Sequence, residues 1–401
     1  MPTRFPPDVT KSNIHGPKKK LNLHVYPSPI IHESRIQRET DSLVKTNLFS
    51  QVEVAGTLIP GLPDYDEFPA GAAIRRFSSG PKSGRTWARI GKAFYFGRNV
   101  YRHYRRAEIA AITCHSVGVL PLCSHLKRST GAILVYSTHE LETETASARG
   151  LKRVILKIIE RLFISQVDHT FAVTEAISQW YRDAYSLSNV DTMYNFPVQA
   201  QAPDDDEAID LRGRLGILSD EPIFLYQGVL SSGRGLETIA DAFESEQIPG
   251  VVVFVGYGPL ESELRRRAEK SLRIYVHEAI SPSELTRFTR GADVGLIVIP
   301  TDSCLSYRYS AGNKLFQYLS AGLPIIASDL QEHRRFLERY SAGVLLRDVG
   351  VETMIKCARS LSQSYRGQYR ESLARIRLEL DWASYDDLLE STYRRLLTSK
   401  R

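Results

Sequence analysis

Two loop-to-helix transitions in the second half of the chain carry side chains suited to binding an anion, and the first surrounds Arg234. Arg234 stands between Gly233 and Gly235 in FLYQGVLSSGRGLETIADAF (224–243), after an apolar run that ends at Gly228. Glycines let the backbone approach an anion closely, and the start of a helix presents unpaired N–H groups. The Arg234 guanidinium adds planar donors that suit phosphate oxygens. This pattern predicts an anion site at a strand end, although an ordinary strand-to-helix turn with a solvent-facing Arg234 would have the same sequence.

The second transition is SYRYSAGNKLFQYLSAGLPIIASD (306–329), in which a polar loop leads into a helix that starts near Asn313. Lys314 lies in the first helical turn, where the helix dipole disfavours a cation, so a bound anion would relieve the conflict. The three- and four-residue spacing puts Gln317 near the same face as Asn313 and Lys314. We expect these side chains to belong to a ligand site. The alternative is an amphipathic helix whose polar residues simply face solvent.

The elements that position these loops are short apolar runs separated by stretches of helical periodicity. The runs are 21–26, 52–55, 110–115, 132–136, 169–173 and 190–194 in the first half, and 223–227, 251–255, 274–277, 294–299, 324–327 and 343–346 in the second. Near-continuous Val and Ile runs fit parallel strands covered on both faces. We therefore predict an α/β fold with two Rossmann-like, doubly wound domains facing a central cleft.

Domain boundaries follow from composition. Residues 1–20 are rich in Pro and Lys and predict a flexible basic arm, and QAQAPDDDE predicts a solvated linker over 198–207. The N-terminal domain is then 21–197 and the C-terminal domain 208–380. A ligand is expected where the carboxyl ends of the strands face the cleft.

Four successive segments carry a resemblance to a known family: FLYQGVLSSGRGLETI, VVVFVGYGPLESELRRRAEK, IYVHEAISPSELTRFTRGADVGLIVIP and NKLFQYLSAGLPIIASDLQEHRRFLERYSAGVLL. In order and spacing they resemble the donor half of family 4 glycosyltransferases over about residues 220–350. VYSTHELE, FAVTEAISQWY and HESRIQRETDSL resemble the acceptor half more loosely. The resemblance implies the GT-B fold, a nucleotide-sugar donor and retention of anomeric configuration. Trp382 and the final helix resemble the segment that crosses back onto the N-terminal domain, here 381–401.

The resemblance also implies roles for the two cations. Gly228 and Arg234 match the positions that hold the donor diphosphate, and Lys314 matches the second phosphate-binding cation. Both cations would neutralise the charge that builds on the departing nucleoside diphosphate.

Two acidic positions of the family's EX7E motif are replaced in this chain. Gln317 stands at the second Glu, which usually binds the ribose hydroxyls, and Tyr309 stands at the first. An amide can still hydrogen-bond a diol, without the strength that a charge adds. We expect Tyr309, Asn313 and Gln317 to contact the donor sugar or ribose.

The remaining site residues implied by the resemblance lie at other strand ends. Val276 and His277, with Glu284, resemble the rim that contacts the base. His139 and Glu140 follow a buried run of the N-terminal domain, and their family counterparts lie near the donor sugar and acceptor. We expect both to act in catalysis, although a lone histidine at a strand end is also commonly structural.

Basic residues predict an anionic partner surface. The net charge is +6, and the segment 85–106 holds seven Lys and Arg with no Asp or Glu, interleaved with aromatic residues. A basic, aromatic helix is typical of an interfacial membrane segment, and 151–164 is a second basic, apolar helix whose apolar face could instead pack on the sheet. We expect no nucleic-acid partner, no spanning helix, and a cytoplasmic protein at the inner face of the membrane that acts on a glycan or lipid-linked acceptor.

No metal cofactor is expected, because no DxD-like pair stands at a strand end in a geometry that suits a diphosphate, and the Asp204–Asp206 run falls in the predicted linker. Two alternatives remain at this stage. A GT-B-like sugar-nucleotide epimerase would share the phosphate site but needs acid and base carboxylates in the cleft. A non-catalytic sugar-nucleotide-binding protein would account for Tyr309 and Gln317.

Overall fold

The computed structural model describes residues 20–80, 86–198, 208–300, 302–364 and 368–399. The predicted basic arm, but for Lys20, and all but the first residue of the predicted linker lie outside the described residues. The described chain forms two α/β domains, each built on its own largely parallel sheet, which confirms the predicted fold class. No helix in this part of the chain is long and apolar enough to cross a membrane.

The N-terminal domain contains an eight-stranded sheet in the order β3-β4-β2-β1-β5-β6-β7-β8. Its strands are β1 (Leu21–Val25), β2 (Gln51–Thr57), β3 (Tyr65–Glu67), β4 (Ala73–Phe77), β5 (Ile109–Cys114), β6 (Ile133–Ser137), β7 (His169–Ala172) and β8 (Val190–Thr192). All neighbours pair in parallel except β3 and β4, which form an antiparallel edge. The central strands are apolar throughout because helices cover both faces of the sheet.

The C-terminal domain contains a six-stranded parallel sheet in the order β11-β10-β9-β12-β13-β14. Its strands are β9 (Ile223–Gln227), β10 (Val251–Val255), β11 (Ile274–His277), β12 (Val294–Ile297), β13 (Ile325–Ser328) and β14 (Gly343–Leu346). The strand order reverses between β9 and β12, and in such sheets a ligand binds in the crevice beyond the carboxyl ends at this switch point.

Helices cover both sheets. In the N-terminal domain they are α1 (Ser34–Lys45), α2 (Thr86–Tyr104), α3 (Leu120–Thr130), α4 (Gly150–Phe163) and α5 (Glu175–Tyr185). In the second half they are α6 (Leu211–Leu215), α7 (Leu236–Glu244), α8 (Glu261–Ala268), α9 (Leu285–Arg290), α10 (Leu305–Arg308), α11 (Gly312–Ala321), α12 (Gln331–Tyr340), α13 (Val351–Ser364), α14 (Arg370–Glu379) and α15 (Asp386–Thr398).

The last helix, α15, packs on the N-terminal domain rather than on the domain that precedes it. Trp382 donates from its indole to the Ser42 hydroxyl of α1 at 2.9 Å, and the hydroxyls of Tyr393 and Thr113 lie 2.6 Å apart. These contacts belong to a buried apolar cluster shared by α15 and β2, β5 and β6. The residues predicted to cross back therefore complete the core of the first domain.

A buried carboxylate joins the two domains on another side. Glu332 of α12 is fully buried and accepts hydrogen bonds from the Ala176 backbone N–H at 2.9 Å and the Tyr194 hydroxyl at 2.8 Å. Ala176 lies in the first turn of α5, where the helix dipole favours a negative charge. This contact fixes α12 of the second domain against α5 of the first.

Candidate functional site

A cavity of about 480 Å³ opens beyond the carboxyl ends of β9, β10 and β12. Its lining comes from the loops after these strands and from the start of α11. The lining residues are Gln227, Gly228, Val229, Gly233, Arg234, Val255, Gly256, Tyr257, Ala279, Ile280, Leu285, Ile297, Val298, Ile299, Tyr307, Ser310, Ala311, Gly312, Asn313, Lys314 and Gln317. The cavity thus brings together Gly228, Arg234, Asn313, Lys314 and Gln317, which the sequence placed in two separate stretches.

Glycines bring the loops of this cavity into backbone contact. Gly228 has φ +129°, and a Cβ added there would lie 2.9 Å from Cε of Lys314. A Cβ on Gly256 would meet the Gly228 carbonyl oxygen at 2.0 Å, and one on Gly235 would meet Cγ1 of Val298 at 2.2 Å. Side chains at these positions would push the loops apart, because real Cβ atoms do not approach other atoms so closely. Glycine therefore shapes the floor of the cavity.

Lys314 is a half-buried cation at the start of α11. Its Nζ lies 3.7 Å from the centre of the Tyr226 ring, a cation–π contact. Burial, and then the nearby charge of Arg234, hold the pKa of Lys314 well below its usual value. Within the described chain Lys314 forms no ion pair with a carboxylate. A buried ammonium without an anionic partner is costly, so the site is organised to receive an anion.

Arg234 provides the second positive charge, two residues before α7 begins. Its guanidinium carbon lies 5.9 Å from the centre of the Tyr307 ring. Burial raises the pKa of Tyr226 to about 12, and the Arg234 charge partly offsets that rise. Tyr226 is therefore neutral near pH 7 and lies between the two cations without cancelling either.

Gln317 is held by a chain of side-chain hydrogen bonds. Nε2 of Gln227 donates to Oε1 of Gln317 at 2.8 Å, and the Thr289 hydroxyl donates to Oε1 of Gln227 at 2.9 Å. The Gln317 oxygen is thus engaged inside the protein. Its Nε2 group is left to donate towards the cavity.

Asn313 and Tyr309 have different positions. Asn313 lines the cavity, and its Oδ1 accepts from Nδ2 of Asn195 in the N-terminal domain at 2.8 Å. Tyr309 lies outside the cavity lining: its ring packs against the apolar core of the N-terminal domain, and its carbonyl accepts from the Thr174 hydroxyl at 2.7 Å. In this arrangement Tyr309 joins the domains, so a donor contact from its side chain would require that packing to change.

The predicted base rim lies next to the cavity rather than in its lining. Nδ1 of His277 lies 2.8 Å from the Glu278 carbonyl, and Glu284 accepts from the Ser281 hydroxyl at 3.2 Å. Val276 is half-buried within β11. The lining instead takes Ala279, Ile280 and Leu285 from the same segment, and Tyr257 and Tyr307 elsewhere. Sequence reasoning missed these residues, although each closely follows a strand or lies in a short helix.

His139 and Glu140 follow β6 in the N-terminal domain. His139 is half-buried, its Nε2 lies 3.1 Å from Nδ1 of His115, and Tyr26 stacks on it with ring centres 5.1 Å apart. Burial, and then the Arg35 charge, lower the pKa of His139 to about 3, so its ring is neutral. Glu140 is exposed; partial burial raises its pKa, while Ser306 of α10 and Lys152 act to lower it. The influence of Ser306 means that Glu140 faces the C-terminal domain.

Possible metal ligands occur away from this cavity. Among the described residues, His24, Glu39 and His115 offer ligand atoms that lie within 4.8 Å of one another. All three side chains are buried in the N-terminal domain.

Comparisons with known proteins agree with this architecture. The family model for Glycosyltransferase Family 4 matches residues 51–196, and the model for Glycosyl transferases group 1 matches residues 221–364. No curated protein sequence matches the chain significantly. Similar solved structures include sucrose-phosphate synthase from Thermosynechococcus elongatus, at 16% identity and a TM-score of 0.76 over 95% of this chain and all of that one.

Two further structures are similar in fold. HepE of Anabaena in complex with UDP-glucose has 13% identity and a TM-score of 0.69, over 95% of this chain and all of its own. WaaG, a glycosyltransferase involved in lipopolysaccharide biosynthesis, has 13% identity and a TM-score of 0.65, over 93% of this chain and 99% of its own. The two parallel-sheet domains and the cavity beyond the strand ends of the second domain define a GT-B glycosyltransferase. The chain belongs to the family 4, or group 1, glycosyltransferases.

Proposed function

We propose that this enzyme transfers a sugar, with retention, from a nucleoside-diphosphate sugar to a glycan or glycolipid acceptor in the synthesis of a cell-surface polysaccharide. The observation that carries the proposal is the pair of cations, Arg234 and Lys314, at one glycine-floored cavity without a carboxylate partner among the described residues. Two fixed positive charges suit the two phosphates of such a donor and stabilise the diphosphate as it leaves. We also propose that catalysis needs no metal ion, because these charges take the role that Mg²⁺ has elsewhere.

The N-terminal domain supplies the other half of the proposed reaction. His139 and Glu140 follow β6, and Glu140 faces the C-terminal domain close to Ser306. We assign His139 to hydrogen-bonding the donor sugar and Glu140 to the acceptor side. Gln317 donates to the ribose hydroxyls through its free Nε2 group. The UDP-glucose bound by HepE makes UDP the first nucleotide to examine.

A thermal-shift comparison tests donor binding. We expect UDP or another nucleoside diphosphate to raise the melting temperature, whereas the matching nucleoside raises it much less. At a concentration of 100 times Kd the expected stabilisation is about 2.7 kcal/mol. Anomeric proton NMR of the product then tests retention, and His139→Ala should bind donor but lose turnover. Equal shifts by nucleoside and diphosphate would refute the diphosphate site. Binding without transfer or hydrolysis would favour a non-catalytic sugar-nucleotide-binding protein.

The acceptor side of the proposal rests on α4, which buries an acidic residue and exposes its apolar face. Its acidic residue Glu160 is fully buried and accepts hydrogen bonds from Tyr181 at 2.7 Å and Tyr185 at 2.8 Å. Its apolar stripe faces outward instead. The exposed members are Leu151, Val154, Ile155, Ile158 and Leu162, with side chains 46% to 75% exposed. Their helical spacing makes a continuous apolar patch, which in a water-exposed protein marks an interaction surface.

Charge supports an anionic membrane as the partner of this stripe. Arg149, Lys152 and Arg161 are exposed beside it, and Lys152 is close enough to influence the pKa of Glu140. We propose that α4 lies in the interface of an anionic bilayer and so presents a lipid-linked acceptor to the cleft. Among the described side chains of the predicted segment 85–106, Phe96 and Tyr104 are buried while Phe94 and Tyr95 are exposed. Residues 81–85 and the side chains of 86–90 lie outside the described residues.

Liposome flotation tests this surface. Changing Leu151, Ile158 and Leu162 to Gln should abolish flotation with anionic vesicles, whereas Leu218→Gln with Leu272→Gln, two exposed leucines of the other domain, should not. Each basic residue near such a surface contributes about 1 kcal/mol, so binding should also weaken as salt rises. Unchanged flotation of the triple variant would refute the assignment. Formation of a dimer that the same variant dissociates would make a second copy the partner.

A further inference from the structure

Three adjacent strands each supply one histidine to a row that runs from the core of the N-terminal domain to the cleft. His24 lies in β1, while His115 and His139 follow β5 and β6, the next two strands of the sheet. Nδ1 of His24 lies 2.8 Å from Nε2 of His115, and Nδ1 of His115 lies 3.1 Å from Nε2 of His139. Parallel strands end at the same edge, so the three rings meet although they are far apart in sequence.

All three rings are neutral near pH 7. Burial lowers the pKa of His24 to about 3. Burial also lowers the pKa of His115 well below its usual value, and repulsion from Arg35 and from protonated forms of His24 and His139 acts in the same direction. Burial lowers the pKa of His139 to about 3 as well. A neutral imidazole has one N–H donor and one bare acceptor nitrogen. Each contact in the row therefore joins a donor to an acceptor, and the tautomer of one ring determines the tautomer of the next.

Only two arrangements satisfy both contacts. Either every ring carries its proton on Nδ1 and the N–H groups point from His24 towards the cleft, or every ring carries it on Nε2 and they point into the core. The second arrangement places an N–H on Nε2 of His24, a buried atom with no hydrogen-bond partner among the described residues. Orphaned buried N–H groups are rare, whereas in the first arrangement the same nitrogen is a bare acceptor. The first arrangement is therefore favoured.

A carboxylate close to this row, Glu39, does not reverse the preference. Glu39 offers an oxygen within 4.8 Å of the imidazole ligand atoms, but Oε1 is paired with Nε of Arg35 at 2.9 Å and accepts from Ser137 at 2.6 Å. The buried positive charge of Arg35 also disfavours a metal ion at His24, Glu39 and His115. The three histidines are therefore better suited to fixing one another's tautomers through their hydrogen bonds than to binding a cation.

We propose that His115, backed by His24, is a positioning residue that fixes His139 as the Nδ1–H tautomer, so that His139 presents a hydrogen-bond donor to the bound sugar nucleotide. This inference rests on the proposed function of His139. The ring of Tyr26 stacks on His139 and holds its plane. An anionic donor in the cleft further favours the outward N–H.

Tautomers can be read without any activity measurement. Selective ¹⁵N labelling of the ten histidines, with signals assigned from single His→Phe variants, distinguishes Nδ1–H from Nε2–H rings by their long-range ¹H–¹⁵N couplings. In the wild-type protein we expect His24, His115 and His139 all to be neutral Nδ1–H tautomers. An Nε2–H signal for His139, or a protonated ring at pH 7, would overturn the proposal whether or not the enzyme's donor is known.

Two amide variants separate positioning from packing. In His115→Asn the side-chain NH₂ can occupy the place of Nδ1 and donate to His139, whereas in His115→Gln the amide reaches His24 instead. We expect the kcat of His115→Asn to stay within about tenfold of the wild-type value, and that of His115→Gln to fall about 10- to 100-fold. A loss of that size is seen when the group that orients a metal-bound histidine is removed. The donor KM should change little, since His115 does not touch the donor.

His125→Gln is the matched control, because His125 is exposed on α3 outside the row, and it should leave kcat unchanged. Equal kcat values for His115→Asn and His115→Gln would overturn the positioning role. Absence of transfer in the wild-type enzyme would count against the proposed function, while the tautomer measurement would still decide the proposal.

Discussion

Replacing Lys314 with Met should make the free protein more stable and the enzyme far less active. Methionine retains an unbranched apolar stem of similar length beside Tyr226 and removes the charge. Burial, and then Arg234, lower the pKa of Lys314 well below its usual value, so the ammonium form of Lys314 is less stable in the folded protein than in the unfolded chain. The positive charge of Lys314 is stabilising only when a diphosphate is bound in the cavity.

The sign of the stability change follows from that pKa. Below the folded-state pKa, Lys314 is protonated in both states and the folded state bears the whole penalty of burying it. As pH rises from that value towards the unfolded pKa of 10.5, the unfolded state binds more protons and the wild type regains stability. Each unit of pKa depression corresponds to about 1.36 kcal/mol. The advantage of Lys314→Met is therefore largest at low pH and fades towards alkaline pH.

The catalytic loss is estimated from the transition state. Removing one contact of this kind typically costs about 2.7–4 kcal/mol, which is about 100- to 1000-fold in kcat/KM. Urea unfolding between about pH 6 and pH 9 measures the first effect, and donor turnover measures the second. Lys270→Met, at an exposed lysine of the same domain, should change neither. A Lys314→Met protein that is less stable than the wild type near pH 7, or that keeps normal kcat/KM, would refute the reasoning.

Three further predictions concern the same cavity. Arg234→Ala should lower kcat/KM by about 100- to 1000-fold with little change in melting temperature. Arg266→Ala, at an exposed arginine, should change neither quantity. An Arg234→Ala enzyme with the wild-type kcat/KM would show that Arg234 does not bind the phosphates. Gln317→Glu should lower the donor KM about fivefold, because the carboxylate still accepts from Gln227 and its second oxygen makes a charge-assisted bond to the ribose; a higher KM than that of Gln317→Leu would contradict this. Turnover should persist in EDTA, and its complete loss with recovery in Mg²⁺ or Mn²⁺ would refute metal-independent catalysis.

The sequence predicted the strands that cross the middle of each sheet and missed an edge. All six apolar runs of each half became strands, because Val and Ile covered on both faces leave a continuous signal. β3 and β4 escaped notice because β3 is fully exposed and β4 carries Arg75 and Arg76. Arg76 is nonetheless buried and donates to the carbonyls of Pro29 and Pro63, partners that only the folded chain supplies.

The same distinction applies to functional residues. Arg234 and Lys314 stood out because each lies at a loop-to-helix transition, a local pattern that the sequence displays. The row formed by His24, His115 and His139 depends on strand order, so no local pattern could reveal it. The outward stripe of α4 was equally hidden, because periodicity reports that one face is apolar but not which face is buried. Buried tyrosines distant in sequence settle that for Glu160.

The packing of α15 constrains the order in which the molecule can be completed during synthesis. Leu389, Tyr393 and Leu396, with Trp382, fill a cluster that also contains Val52 of β2. Until residues 382–396 have left the ribosome, that cluster lacks part of its apolar filling, so the first domain must wait, partly open, while the whole second domain is translated. Chains stalled or cut before residue 382 should therefore expose this surface and become clients of chaperones and proteases, even though both sheets are fully encoded.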